Sequence, residues 1–347
     1  MQQVAQAAGV SRNAVSLALR NDPQIPPATR ERIVRIAQEL GYRKNPTVAH
    51  LMAELRRGAA GTHRATLALI NAHEEADAFR THPTIPSYVA GCRRRAASTG
   101  HTLDEFWLHD PAIDGRQLRQ IFAARSIRGI ILVGLMRGNR LPERFLPALE
   151  TTPCVVTGVA TRDPALSFAC CDHHLLVKRA MERVHQLGYR RPALVLDREI
   201  DDLVERRFSA GFRIAQEGFP ADNALKPFYT GAARDRERFT RWLRKERPDV
   251  ILTLYHGVRR WVEAAGLTVP AGVGLVQMEW REDHREWAGM HQNNDIVGEA
   301  AVEMLIGMIH NGERGIPVFP RATLIGSRWM DGATVREKSD TPPMAFR

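Results

Sequence analysis

The sequence predicts an α/β protein in which a small N-terminal helical module precedes a larger domain built on parallel sheets. Apolar residues recur at helical spacing near the N-terminus, whereas from residue 65 onward strand-like apolar runs alternate with helical patterns. That alternation is typical of βαβ units and therefore of a parallel sheet. With 347 residues and 44% hydrophobic content, the chain can bury a core of this size and carry an appended module.

The first two predicted helices flank the turn Gly9-Val10-Ser11, which gives the pattern of a helix-turn-helix. Ser11 is a suitable N-cap for the second helix, because its hydroxyl can accept a hydrogen bond from the first helical turn. The apolar positions that carry the helical spacing are Val4, Ala5 and Ala8 before the turn, and Val15 and Leu19 after it.

The second helix begins with two polar residues, Arg12 and Asn13, that we expect to read DNA bases. In the major groove, arginine can donate to guanine O6 and N7, and asparagine can pair with adenine N6 and N7. The alternative is a plain three-helix surface module in which both side chains are merely solvated and Ser11 is only a cap.

A third helix is predicted for the segment RERIVRIAQELGY, after a loop that ends at Pro26-Pro27. Thr29 is expected to cap this helix. Its apolar face would contain Ile33, Ile36, Ala37 and Leu40.

The following segment, Asn45 to Ala53, has the properties of a hinge. Pro46 suits a first helical turn, and the run is too short to form a stable helix alone. We therefore place the headpiece at residues 1–44, the hinge and linker at 45–58, the larger domain at 59–336 and a tail at 337–347.

Charge is concentrated at the N-terminus. The formal net charge is +10, and residues 1–58 hold nine Lys or Arg against four Asp or Glu, a net charge of +5. Half of the excess therefore lies in the first sixth of the chain, which favours a polyanionic partner for the headpiece.

The larger domain contains too many βαβ units for one lobe. Its predicted strands are 65–70, 102–108, 129–133, 154–157, 192–196, 250–253 and 273–276. Its predicted helices lie near 88–98, 116–124, 174–187, 203–217 and 258–265.

Several functional classes find no support in the sequence. The four cysteines have no metal-ligand spacing, and Cys170-Cys171 is interpreted as structural. No stretch approaches the length of a membrane span, and no signal peptide is evident, so a cytoplasmic protein is expected. No nucleophile elbow, phosphate loop, dinucleotide fingerprint or HExxH motif occurs, so we expect no enzyme, no cofactor and no metal.

Two clusters could suggest catalysis but lack a recognised spacing. They are Asp172 with His173-His174, and Glu279 with Asp283 and His284. Capping of the following helix is the simpler explanation for Asp172.

The order of the runs AGVS, AVSLAL, TRERI and AQELGY resembles the LacI/GalR family of transcriptional repressors. The resemblance continues through HQLGYRRPALV, RRFSAGF, VPAGVGLV and HQNNDIVGEAAVEML, and so spans nearly the whole chain. It implies a helix-turn-helix headpiece joined to two doubly wound lobes like those of periplasmic sugar-binding proteins. We place the first crossing between the lobes near Thr157–Asp163.

The resemblance also implies how the headpiece would meet DNA. Ser16 would contact phosphate, and so would Thr29 and Arg30 from the start of the third helix. Leu51 of each of two chains would enter the minor groove, which implies a homodimer on a palindromic operator; the alternative for Leu51 is a core contact with the next domain. Leu17 stands where the family often has arginine, so the operator sequence does not carry over.

The resemblance further implies that a small-molecule effector, expected to be a carbohydrate, binds between the lobes. Sugar specificity does not carry over, because Phe208 stands where the family often has Arg, Tyr255-His256 where it has Asn-Asp, and Glu279 where it has Asp. The candidate effector contacts are Asn71, His73, Asp172, Arg207, Tyr255, His256, Glu279 and Trp280.

For three of these candidates a structural role is a comparable explanation: a hydrogen-bonded loop histidine for His73 and His256, and a core or dimer contact for Trp280. Arg207 could likewise be an exposed, solvated charge.

A sequence-specific transcriptional regulator, acting as a repressor, is therefore the expected function. The alternative is a sugar-binding protein or a sugar-processing enzyme built on the same lobes. The headpiece argues against that alternative.

Overall fold

The computed structural model describes residues 2–19, 23–40, 65–136, 138–230 and 235–337. Within these ranges the chain forms an N-terminal helical unit and two α/β lobes. The predicted hinge at residues 45–58, including Leu51, lies outside the described residues, as does nearly all of the predicted tail.

The N-terminal unit consists of three helices around one small core. Helix α1 spans Gln2–Ala8, α2 spans Arg12–Ala18 and α3 spans Pro27–Glu39. Gly9, between α1 and α2, has a φ of +63°, a conformation that glycine adopts without strain. The buried residues of this core are Val4, Ala5, Ala8, Val15, Ala18, Ile33 and Ala37.

Two details of α3 differ from the prediction. The helix begins at Pro27, and Thr29 lies within its first turn, so Thr29 as the cap is wrong. Proline suits the first helical position because its missing N–H would have no partner there. Leu40, predicted on the apolar face, is 49% exposed because the helix ends at Glu39.

The first lobe contains a six-stranded sheet in which every neighbouring pair is parallel, in the order β11-β5-β4-β3-β1-β2. Its strands are β1 (Ala65–Asn71), β2 (His101–Trp107), β3 (Ile127–Val133), β4 (Cys154–Thr157), β5 (Ser167–Cys171) and β11 (Ala322–Ile325). Its helices are α4 (Ala78–Thr81), α5 (Ile85–Ser98), α6 (Gly115–Ala124) and α12 (Asn294–His310).

The second lobe contains another six-stranded sheet, in the order β12-β10-β9-β8-β6-β7, in which only β12 is antiparallel to its neighbour. Its strands are β6 (Pro192–Asp197), β7 (Phe228–Thr230), β8 (Val250–Thr253), β9 (Gly274–Gln277), β10 (Ala288–His291) and β12 (Arg328–Met330). Its helices are α7 (His173–Gln186), α8 (Arg198–Leu203), α9 (Arg207–Ala215), α10 (Arg236–Glu246) and α11 (Gly257–Ala264).

Within the described residues, the chain passes between the two sheets three times, after β5, after β10 and after β11. The crossings lie side by side, because Asp172 N donates to Ile325 O at 2.9 Å and Asn293 Nδ2 donates to Gly326 O at 2.8 Å. The first crossing is at Asp172 and not near Thr157–Asp163 as predicted, since β4 and β5 pair within the same sheet. The loops that follow the carboxyl ends of the strands in both sheets therefore face a shared cleft.

Helices α5 and α12 pack closely against each other on the first lobe. A Cβ added at Gly298 would lie 2.1 Å from Tyr88 O, and one added at Gly91 would lie 1.8 Å from Asp295 O. Only glycine at these two positions allows the helix backbones to approach this closely.

Within the described part of the chain, no helix combines the length and the apolar character needed to cross a membrane.

Candidate functional site

The start of α2 presents the polar residues that the sequence analysis assigned to DNA. Ser11 is the N-cap, and its hydroxyl accepts a hydrogen bond from Ala14 N at 3.1 Å, as predicted. Arg12 and Asn13 follow in the first turn, and both are exposed. A capped helix end with two exposed side chains of this kind has the chemistry required for contacts to base edges.

The remaining headpiece candidates are less accessible. Leu17 and Thr29 are both half-buried. Arg30 is half-buried as well and donates from Nη2 to Ile25 O at 3.0 Å, which ties the first turn of α3 to the loop before it. The side chain of Ser16 and the whole of Leu51 are outside the described residues.

On the first lobe, Asn71 ends β1 and organises the loop that follows. Its Nδ2 donates to the carbonyls of Glu75 and Ala76 at 2.9 and 3.1 Å, and its Oδ1 accepts from His73 N at 3.0 Å. Because Asn71 is buried and its amide is used in this way, the structure gives it a positioning role in the loop.

His73 lies in the same loop and forms a ring pair with His82, with centroids 5.1 Å apart. Its Nδ1 accepts a hydrogen bond from Glu75 N at 3.1 Å. The pKa of His82 is lowered by burial and by His73. The loop after β1 therefore brings two imidazoles to the first-lobe side of the cleft.

Asp172 lies at the first crossing and caps α7, accepting a hydrogen bond from Leu175 N at 3.0 Å, as predicted. The next residue, His173, is only 4% exposed, and its ring lies 4.7 Å from that of Phe208. Burial, together with Arg207, lowers the pKa of His173 to about 3, so this imidazole is neutral. Its Nδ1 has no hydrogen-bond partner among the described residues.

Arg207 connects the two lobes. Its guanidinium donates from Nη1 to Cys170 Sγ at 3.6 Å and lies 5.5 Å from the ring centroid of Phe168, both on β5. Burial raises the pKa of Cys170 to about 11, which keeps the thiol protonated. All four cysteines are free and buried, which accords with the interpretation of Cys170-Cys171 as structural residues.

On the second lobe, Tyr255 and His256 follow β8. The Tyr255 hydroxyl donates to Asp197 Oδ2 at 2.9 Å and accepts from Asp197 N at 3.1 Å. The His256 ring stacks on His284 at 3.9 Å, and burial and His284 together lower the pKa of His256 to about 4. Both candidates lie at a strand end, as expected.

Glu279 makes a hydrogen-bonded link between the lobes. Its carboxylate accepts from the Thr84 hydroxyl of the first lobe and from Asn294 Nδ2 at 3.3 Å. Burial raises the pKa of Glu279, and the Glu279 charge in turn contributes to the raised pKa of the buried Tyr88.

Trp280 is buried in the second lobe. Its Nε1 donates to Trp287 O at 3.0 Å, and its ring lies 5.7 Å from His291. The indole nitrogen of Trp280 is thus used in packing this lobe. This is a core role, which was the alternative to effector binding for Trp280.

Four further polar residues on this side of the lobes were not predicted from sequence as effector contacts: Thr84, Tyr88, His173 and Asn294. Asn294 is 8% exposed, and its Oδ1 has no hydrogen-bond partner among the described residues. His173 and Asn294 are each the first residue of a helix that follows a crossing between the lobes. That position could have indicated them as candidate contacts from the sequence.

Two family models match the chain. Residues 1–45 match the bacterial regulatory proteins of the lacI family, and residues 181–335 match the periplasmic binding protein-like domain. These two matches fall on the helical unit and mainly on the second lobe.

Curated relatives match over nearly the full length. The HTH-type transcriptional regulator CelR of Thermobifida fusca is 25% identical over 339 residues, covering 92% of this chain and 94% of the relative. The HTH-type transcriptional regulator IpsA of Corynebacterium glutamicum is 22% identical over 335 residues, covering 88% of this chain and 90% of that protein.

Solved structures share the fold. A transcriptional regulator CelR–cellobiose complex aligns with a TM-score of 0.60 at 21% identity, covering 96% of this chain and 98% of that one. The lac repressor bound to ONPG in the repressed state aligns with a TM-score of 0.57 at 17% identity, with the same coverage. The three-helix unit and the two lobes are therefore the architecture of these regulators.

Proposed function

This chain belongs to the LacI family of DNA-binding transcriptional regulators, and we propose that it is a repressor whose operator affinity is controlled by a carbohydrate bound between its lobes. The observation that carries the proposal is the presence in one chain of a capped, exposed helix start at Ser11–Asn13 and a two-lobed cleft. The helix start supplies contacts to the bases, and the cleft supplies a ligand site whose shape can change.

At the DNA, Arg12 and Asn13 are the base readers in this proposal. Their side chains are exposed at the start of α2, the end that enters the major groove in helix-turn-helix proteins. Ser16, Thr29 and Arg30 contact the phosphate backbone and fix the register without specifying sequence. Leu17 contacts the groove at the position where the family often has arginine.

The regulator acts as a homodimer on a palindromic operator. Two headpieces are required to cover two half-sites about one helical turn apart. Leu51 of each chain enters the minor groove and kinks it, which adds contact area to each half-site.

In the cleft, a carbohydrate is held by polar groups from both lobes. His173 and Asn294 each carry a buried polar atom for which the described residues provide no partner, and Glu279, Tyr255 and His256 add further hydrogen-bonding groups. The cellobiose bound to a CelR of this architecture supports a carbohydrate as the class of ligand.

Ligand binding changes transcription only if it favours one arrangement of the lobes over the other. A typical coupling free energy between two such sites is about 1–3 kcal/mol. The three adjacent crossings allow the lobes to change their relative orientation, and in this proposal that change alters the separation of the two hinges in the dimer.

The test is a selection of bound fragments from genomic DNA with the purified full chain. The proposal predicts recovery of one palindromic sequence, and Arg12→Ala is expected to reduce its enrichment. Recovery of DNA with no common sequence would contradict the proposal and would favour a sugar-binding or sugar-processing protein on the same lobes.

A further inference from the structure

One ion pair joins the rims of the two lobes across the cleft. Arg162 lies in the loop between β4 and β5 of the first lobe, and Glu205 lies between α8 and α9 of the second. Arg162 donates from Nε to Glu205 Oε1 at 2.8 Å and from Nη2 to Glu205 Oε2 at 2.9 Å. This two-point geometry is the strongest and most directional form of a carboxylate–guanidinium pair.

The second-lobe side of this pair is held in an uncommon backbone conformation. Glu205 and Arg206 have φ values of +56° and +55°, in the left-handed region that residues other than glycine rarely adopt. The turn is fixed by Asp201, which is completely buried: its carbonyl accepts from Arg206 N at 2.7 Å, and its Oδ1 accepts from Ser209 N at 3.2 Å. The backbone is thereby held in the shape that presents Glu205 to the other lobe.

The neighbouring charges leave this contact undisturbed. Arg206 pairs with Asp202 of its own lobe at 2.7 Å, so it does not compete for Glu205. On the first lobe, Arg162 N donates to Asn139 O at 2.8 Å, and Asn139 Nδ2 in turn donates to Glu205 Oε1 at 3.4 Å. The hydrogen bonds from Arg162 also lower the pKa of Glu205, in accord with a carboxylate held in the charged form.

We infer that Arg162 and Glu205 form an inter-lobe clasp that stabilises the closed arrangement of the cleft. Arg162 follows the carboxyl end of β4, and Glu205 follows α8, the helix after the carboxyl end of β6, so the clasp lies on the side of both sheets that faces the cleft. Its strength sets how much of the ligand's binding energy is needed to keep the lobes closed. This last consequence rests on the proposed function, whereas the clasp itself does not.

Double electron–electron resonance measures the distance between two spin labels, and on the full chain it tests the clasp directly, without DNA or effector. Spin labels are placed by Gln120→Cys on the first lobe and Arg213→Cys on the second, since both side chains are exposed and the four native cysteines are buried. Glu205→Gln and Arg162→Gln are each expected to lower the ratio of closed to open populations about two- to five-fold, as for loss of an exposed ion pair.

A matched control removes an ion pair of the same loop that does not cross the cleft. Arg140 and Asp163 lie 3.4 Å apart within the first lobe, so Arg140→Gln should leave the distance distribution unchanged. The charge exchange Arg162→Glu with Glu205→Arg should restore the parental distribution. Unchanged distances in both single variants, or an equal shift in the Arg140 control, would overturn the inference.

Discussion

His173 illustrates how a single residue acquires properties that its neighbours impose. The imidazole is packed against Phe208 at the first crossing, and burial lowers its pKa to about 3. The pKa of His173 in the folded state is below the value of about 6.5 expected in the unfolded chain. Between pH 3 and pH 6.5 the unfolded state therefore binds more protons than the folded state. The contribution of the neutral His173 to the free energy of unfolding is therefore complete above pH 6.5, and it is lost as the pH falls from 6.5 toward 3.

This shift predicts a specific effect of His173→Asn. Between pH 7 and pH 5 the parent should lose about 2 kcal/mol more free energy of unfolding than the variant, because the variant has no imidazole to protonate on unfolding. Urea denaturation at the two pH values measures the difference. His310→Asn, which changes an exposed ring at the end of α12, should follow the parent; equal pH dependence in the parent and His173→Asn would contradict the assignment.

Arg12 carries the sequence specificity in this account. Arg12→Ala is expected to weaken binding to the selected operator by about 1–3 kcal/mol, with a much smaller effect on unrelated DNA, because it removes a contact to a base. Fluorescence anisotropy titrations with both DNAs measure the two losses. Arg35→Ala, on the exposed side of α3, is the matched control for loss of one positive charge; equal loss on both DNAs in Arg12→Ala would make Arg12 a phosphate contact.

At this scale, the sequence identified residues whose roles depend on local chemistry. Ser11 and Asp172 cap their helices as predicted, because a cap needs only the three residues that follow it. The burial of His173 and Asn294, which makes them candidate contacts, was not predicted because it depends on residues distant in sequence, such as Phe208 and Glu279.

The pairing of α5 with α12 depends on close backbone contact at Gly91 and Gly298. Gly298→Ala should destabilise the fold by about 1–3 kcal/mol, because the new Cβ would lie 2.1 Å from Tyr88 O and the helices would have to separate. Gly307→Ala, on the same helix but in open space, should instead stabilise by roughly 0.5–1 kcal/mol. Chemical denaturation of both variants checks the pair, and a stable Gly298→Ala would show that the helices do not pack this closely.

Elements were predictable where a continuous apolar run marked a buried strand. The strands Cys154–Thr157 and Val250–Thr253 have the predicted bounds. The helix predicted over 203–217 instead begins at Arg207, because the left-handed turn at Glu205-Arg206, which is held by hydrogen bonds to Asp201, separates it from α8, which ends at Leu203. The short strands β7 and β12, at the edges of the second sheet, gave no recognisable pattern because three residues are too few to show a period.

At the scale of the whole molecule, the sequence predicted two lobes but misplaced the first crossing. The number of βαβ units exceeds what one sheet accommodates, so the division could be inferred from the pattern alone. Which strands share a sheet depends on pairing between distant segments, as between β5 and β11, and local sequence does not encode this. The crossing consequently lies at Asp172 and not between β4 and β5.

The central claim is that the cleft controls the headpiece. The most direct measurement is a titration of the selected operator with the purified full chain, repeated with a panel of neutral sugars and sugar acids. We expect one ligand to change the operator Kd about 5- to 150-fold, with no change for unrelated DNA, as for a typical coupling free energy. An operator Kd that no ligand of the panel alters, although a ligand binds the protein in calorimetry, would contradict the claim.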